Sequence, residues 1–238
     1  MIVNANLARG LVVVAWTGLL LGLWVTGETA RYLGPRTAWL VPFGAITLLV
    51  AGCAYLFFTT WLRRPVEALS LREAAGLAAL LLPICAVALV PKPELGALAA
   101  SKKLSNRALI FPKLASRTSG PRAKVSFFSI ASANVSSTYA ASIGLRPGLP
   151  ADLTGFVIRP RGAPPGTFEI ARFYIACCAA DALPLTVPVH ASGADYGNDT
   201  WLEVKGHLER RQGNLGIKAD NIVRVEAPNH PYLSAYSQ

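Results

Sequence analysis

Ionisable side chains are scarce in this 238-residue chain, where Asp, Glu, Lys and Arg together make up only 15%. Three stretches, 10–27, 37–62 and 74–90, contain none of these four and no His. A water-soluble core rarely needs such runs, whereas a hydrocarbon layer about 30 Å thick takes about 20 apolar residues as helix. The missing charge therefore excludes an ordinary soluble protein and predicts an integral membrane segment with three helices, over about 10–27, 37–62 and 71–90. It also excludes a transport route through this chain alone, because ionisable groups inside a membrane usually mark ion or proton paths.

Cysteine is sparse too. Cys53 and Cys85 lie in the apolar runs, where a thiol is a small filler. Cys177 and Cys178 are adjacent and cannot bridge each other without backbone strain. No disulfide framework is implied, so cysteine usage leaves the compartment open. The three histidines, His190, His207 and His230, are scattered. No G-x-S-x-G, phosphate-binding glycine loop, H-E-x-x-H or paired-carboxylate pattern occurs, which argues against an enzyme with familiar machinery.

The net charge of +10 resembles a nucleic-acid signal until it is divided by region. Residues 1–91 carry six Arg and three Glu, a balance of +3. Residues 92–150 carry nine Lys/Arg and one Glu, or +8, and residues 151–238 come to −1. The basic character belongs to an Ala/Ser/Pro-rich middle segment, read as a linker or an extension that packs on the tail, with one short strand at Phe127, Phe128 and Ile130. A nucleic-acid partner is not expected.

In the membrane half, Trp39 and Trp61 bound the second run at the headgroup level. Pro83 predicts a kink or break in the third. Gly18 and Gly22 form a G-x-x-x-G pair that would let another helix approach closely, although glycine is common in membrane helices. The first run resembles a signal peptide in its Arg9 start, but Val25-Thr26-Gly27-Glu28 is a poor cleavage site and two more spans follow. With the amino terminus inside, Arg9, Arg63, Arg64 and Arg72 are cytoplasmic and Arg31 and Arg36 external. Lys92, Lys102, Lys103 and Arg107 argue the other way; since long segments translocate largely regardless of charge, the tail is placed outside the plasma membrane.

From about residue 151 the texture changes to short strands, over 155–158, 168–176, 185–190, 201–208 and 217–225. In the fourth, Trp201, Glu203, Lys205 and His207 alternate with Leu202, Val204, Gly206 and Leu208. Pro188 suggests an edge strand. Five short strands with glycine-marked turns suit a small all-β domain, an OB-like barrel, with a β-sandwich fragment as the alternative. Asp199 is expected to bond the backbone of its own turn and Trp201 to plug one end of the barrel.

The most unusual string is Arg172-Phe173-Tyr174-Ile175-Ala176-Cys177-Cys178-Ala179-Ala180-Asp181. In an extended chain the two thiols face opposite ways; if the strand ends there, Cys177, Cys178 and Asp181, with His190 or His207, could converge on a divalent metal such as zinc. The spacing matches no standard zinc pattern. A strand end with packed thiols and Asp181 capping a turn remains the simpler reading, and no cofactor is required by any motif.

Two spans, a loop, a third span ending in Leu-Leu-Pro and a basic segment resemble the YcgQ-like family of bacterial membrane proteins. So do Gly155-Phe156, Arg172-Phe173, Cys177-Cys178-Ala179-Ala180-Asp181, Asp199-x-Trp201-x-x-x-x-Gly206 and Pro231-Tyr232, which follow that family's order. The resemblance covers nearly the whole chain and is firmest over 153–233. It implies a subunit of a two-component permease that assists a multi-span permease encoded next door. Some members carry a His- and Cys/Asp-rich loop between the second and third spans. Here that loop is Arg63-Arg64-Pro65-Val66-Glu67-Ala68-Leu69-Ser70, which holds no metal-ligand set. Two expectations follow: a non-enzymatic accessory subunit, or a membrane-tethered metal- or thiol-sensing module centred on Cys177, Cys178 and Asp181.

Overall fold

The computed structural model describes residues 5–61, 69–89, 95–103, 125–159, 166–191, 193 and 195–234. A turn expected over 160–166 falls outside them except for Gly166, as do most of the loop 63–70 and residues 104–124 of the middle segment. The chain forms two compact units, Met1–Glu94 and Leu95–Gln238.

The first unit holds three long apolar helices, α1 (Ala5–Val25), α2 (Leu40–Trp61) and α3 (Leu71–Leu89). Each is long and apolar enough to cross a membrane. A short 3-10 turn, Glu28–Arg31, lies between the first two. Helices α1 and α2 run antiparallel and approach through glycines: Gly10 faces Leu56, Gly52 faces Val13 and Gly44 faces Leu20. Nothing lies within 4 Å of where a side chain would stand at Gly18 or Gly22, so within this unit the G-x-x-x-G pair is not the contact. The helix pair instead uses the glycines that alternate with branched side chains across the seam.

Pro83 does not break α3, which continues through it. A proline leaves carbonyls of the preceding turn short of donors. The Trp16 indole N–H of α1 donates to the Leu80 carbonyl at 3.1 Å, which ties α1 to the turn of α3 that precedes Pro83. Polar groups meet at one end of the unit. There Arg9 pairs with Glu73 at 2.6 Å, and the Tyr55 hydroxyl donates to Asn6 at 2.7 Å, linking all three helices. Ser70 and Glu73 cap the start of α3 reciprocally.

The second unit contains a closed barrel of β1 (Pro150–Ile158), β2 (Thr167–Tyr174), β3 (Leu183–His190), β4 (Trp201–Arg211) and β5 (Asn214–Arg224). The strand order is β1-β2-β3-β5-β4, closed by β4 on β1. All pairings are antiparallel except β3 with β5, where Val189 meets Ile217 and His190 meets Lys218. That is the Greek-key order of an OB-type barrel. The alternation read in 201–208 holds: Leu202, Val204 and Leu208 are buried. Gly206 sits at a bulge, and a side chain there would strike the Lys218 carbonyl, so the bend needs glycine. Pro188 lies in no open edge, because the barrel is closed; it pairs with Glu169 of β2.

Residues before β1 belong to this unit. Phe127–Val135 is a helix, α5, and not the expected strand. Ser126 and Ser129 form a capping box, with Ser126 accepting from the Ser129 N–H at 3.2 Å, and the small residues that follow suit a helix. Ser137–Ser142 forms α6. Phe127, Phe128 and Ile130 of α5 are buried in one cluster with Val157, Ile170, Leu185, Val187, Leu202 and Ile217 of the strands. Each such side chain contributes roughly 1.5–3 kcal/mol by burial. Gly155 makes the seat possible, since a side chain there would collide with the Phe127 ring and the Ala171 carbonyl. The Asn134 amide then docks like a strand residue, donating to the Leu215 carbonyl at 2.9 Å and accepting from the Leu215 N–H at 2.7 Å.

A second cluster lies apart from this interior. Phe156, Ile158, Ala171, Phe173, Ile175 and Ala182 are covered by Ala97 and Ala100 of a short helix, α4 (Ala97–Lys103).

Candidate functional site

The site begins where β2 ends. After Tyr174 the chain leaves the ladder, the Ile175 N–H donates to the Leu233 carbonyl, and a turn leads into a 3-10 helix, Ala179–Asp181. The Asp181 carboxylate folds back over this turn and gathers its donors. One oxygen accepts from the Ala176 N–H at 3.1 Å; the other accepts from the Cys177 N–H at 2.8 Å and the Cys178 N–H at 3.4 Å. The same oxygen accepts from the Cys177 thiol at 2.7 Å.

This end of the strand decides how the two cysteines point. The chain bends at Ala176 and Cys177 while Cys178 itself is extended (φ −152°, ψ 168°), and the two sulfurs lie 3.8 Å apart instead of on opposite faces. The Cys177, Cys178 and Asp181 ligand atoms all lie within 4.8 Å of one another. Cys177 and Asp181 are exposed and Cys178 is half-buried. None of the four cysteines is in a disulfide.

Electrostatics follow the geometry. Hydrogen bonding to the Asp181 carboxylate, then to Cys178, favours the protonated Cys177 thiol and pushes its pKa up to about 11. Burial works to raise the Asp181 carboxyl, but the Cys177 thiol and the three backbone N–H groups outweigh it. The net shift is below the usual carboxylate range. At neutral pH the cluster therefore rests as a carboxylate accepting from a thiol.

The histidines do not join this group. His190 pairs with Thr167 at the opposite end of the β2–β3 ladder from Tyr174 and Leu183. Its Nδ1 is buried without a hydrogen-bond partner, and burial, aided by the positive Arg211, lowers its pKa. His207 pairs with Asp220 at 2.7 Å, and His230 offers its carbonyl to Arg172 at 2.6 Å.

Asp199 does not bond its own turn. It adopts a left-handed backbone (φ 65°), and its carboxylate accepts from the Ala97 N–H at 2.5 Å, anchoring the start of α4 from 102 residues away. Gly96 must be glycine for this, because a side chain there would run into the Asp199 carboxylate. Trp201 does not plug the barrel. It is an outward position on β4, packed edge-on against Phe156 at 5.7 Å, with the Arg172 guanidinium 5.9 Å from its ring centre. Arg172 also donates to the Pro231 carbonyl at 3.2 Å. Arg172 and Trp201 are thus part of the outer apolar cluster that α4 covers.

Lys103, at the end of α4, is a site neighbour that sequence reading passed over. Its ammonium donates to the Ala180 carbonyl at 3.2 Å and the Ala182 carbonyl at 3.0 Å, on either side of Asp181. The available signal was an alanine-rich run, Ala97-Leu98-Ala99-Ala100, followed by Ser101-Lys102-Lys103, a helix with basic residues in its last turn.

Fold and site define a class: a membrane-embedded protein of three apolar helices that carries a closed five-stranded barrel with a two-thiol, one-carboxylate turn. The barrel is similar to a known family: residues 148–235 match the DUF1980 C-terminal domain. That interval covers all five strands and the Cys177–Asp181 turn, while the three helices and α4 to α6 lie before it. No curated protein matches the chain.

Proposed function

We propose that this chain is a non-enzymatic accessory subunit of a permease complex in the plasma membrane, of the kind implied by its YcgQ-like sequence pattern. One observation carries the reading. Few residues of the three apolar helices are fully buried within the unit, none of them in α3, and large apolar side chains such as Val14, Phe43, Phe57 and Leu82 are exposed and left to meet lipid or another helix. The runs hold no Asp, Glu, Lys, Arg or His, which favours assisting a multi-span permease over forming the pathway. Gly18 and Gly22, with nothing packed against them, offer a close-approach face on α1 for that partner.

In this reading the barrel lies on the extracytoplasmic side and assists substrate or ion handling or docks the partner. Nucleic acid is not among its partners, since residues 151–238 balance at −1. Co-purification from detergent with a permease encoded by an adjacent gene tests the proposal, and Gly18→Leu with Gly22→Leu should weaken that association while leaving the barrel folded. Transport by this chain alone in liposomes would refute it. A membrane-impermeant maleimide applied to intact cells tests the orientation; failure to label Cys177 or Cys178 in cells, with labelling restored on lysis, places the barrel inside.

A further inference from the structure

We infer that Cys177, Cys178 and Asp181 form an exchangeable binding site for one thiophilic divalent cation of the zinc class. Two thiolates and one carboxylate oxygen hold the ion, and a fourth position stays open to solvent. The inference stands apart from the permease proposal, because it rests on the turn and on Lys103 of α4, which braces it.

The distance between the sulfurs is the first support. Zinc–thiolate bonds of about 2.3 Å at a tetrahedral centre place two sulfurs about 3.8 Å apart. The Cys177 and Cys178 sulfurs stand at 3.8 Å already. The Cys177 sulfur and Asp181 oxygen are 2.7 Å apart, joined by the thiol proton. In a metal centre that edge is about 3.5 Å, so loss of the proton and a side-chain movement of under about 1 Å complete the arrangement. One divalent ion displaces two thiol protons to solvent, and the charge balances as two thiolates replace two thiols.

The second support is that the turn is built before any ion arrives. Asp181 is held by three backbone N–H groups, and Lys103 of α4 ties the carbonyls of Ala180 and Ala182 around it. Little ordering is left for binding to accomplish, which favours affinity. The donor set selects the metal: magnesium and calcium require oxygen cages, whereas two thiolates with one carboxylate suit a borderline ion. Closed structural zinc sites have four protein ligands; three ligands with an open position are the pattern of sites where the ion or its bound water is accessible. Among the described residues no histidine completes the set.

The test uses the full-length protein, stripped of metal and kept in detergent. Co2+ titration should give one ion per chain, with the intense visible bands of a tetrahedral centre and the ultraviolet thiolate-to-cobalt bands of two sulfurs, and Zn2+ should abolish both. Cys53→Ser with Cys85→Ser should leave the bands intact. Cys177→Ser with Cys178→Ser should remove them, and Asp181→Asn should weaken binding at least about tenfold. Zn2+ should also shield both thiols of the unaltered protein from iodoacetamide, a readout that needs no substitution. Absence of cobalt bands in the intact protein, bands that survive loss of both cysteines, or alkylation indifferent to Zn2+ would each overturn the assignment.

Discussion

Replacing Asp181 with Asn should make Cys177 react faster with iodoacetamide in chelator-treated buffer. The carboxylate is the largest cause of the thiol's high pKa, about 11 against an ordinary value of 9.0. At pH 8 a thiol of pKa 11 is about 0.1% thiolate, and one of pKa 9 about 9%, a ratio near 90. Intrinsic nucleophilicity falls with basicity, with a slope of about 0.45 per unit, and returns about eightfold of that. Because the Cys178 hydrogen bond and burial also raise this thiol and remain in the Asn variant, about tenfold is the ceiling, and a several-fold faster alkylation is expected. Because the unaltered pKa is raised, its rate should climb about tenfold per pH unit from pH 7 to 10 and level only near 11. The variant's profile should level off lower. Peptide mass spectrometry with fragmentation separates Cys177 from Cys178. Equal rates and superimposable profiles in the two proteins would refute the claim that the Asp181 carboxylate controls this thiol.

Gly155→Val should displace the Phe127 ring from its seat and lower the stability of the barrel by about 1–3 kcal/mol or more, read as a drop in thermal midpoint. Asn134→Ala removes both bonds to buried Leu215 and should cost about 1–3 kcal/mol, with faster hydrogen exchange at the Leu215 amide as its local signature. Trp16→Phe removes the side-chain bond from α1 to the Leu80 carbonyl; a loss of about 1 kcal/mol in steric-trapping or detergent unfolding is expected, and no change would show that this bond does not stabilise the helix pair. Asp220→Asn should alter stability by less than about 0.5 kcal/mol, since His207 and Asp220 are both more than half exposed.

Elements governed by a short period were legible without coordinates. The charge-free runs named three spans, and the helices found differ from the expected limits by a few residues at their ends. The alternation from Trp201 to Leu208 assigned each residue its face. Where two signals competed, the more visible one misled. Phe127, Phe128 and Ile130 look like strand formers, yet Ser126 and Ser129 cap a helix, and burial against the barrel rewards the same apolar residues in either conformation. Gly18 and Gly22 match a packing motif and have nothing packed against them within the unit, where Gly10, Gly44 and Gly52 make the contact between α1 and α2.

The candidate turn was half legible. Cys177-Cys178 and Asp181 stood out by chemistry, and the small residues after them suggested a strand end. That the sulfurs share one side, and that Asp181 rather than a histidine completes the group, depends on where the β2 ladder stops against β3 and Leu233. Likewise Asp199 reaches Ala97, and Lys103 reaches Ala180 and Ala182, across most of the unit.

By itself, then, the amino-acid order determined the solvent of each part and the period of each strand, because hydropathy and side-chain alternation act between residues a few positions apart. Closure of the five strands, the helix seated against Gly155 and the convergence of two thiols with one carboxylate were decided only in three dimensions. Those contacts join residues distant along the chain, and no local pattern encodes which of them will meet.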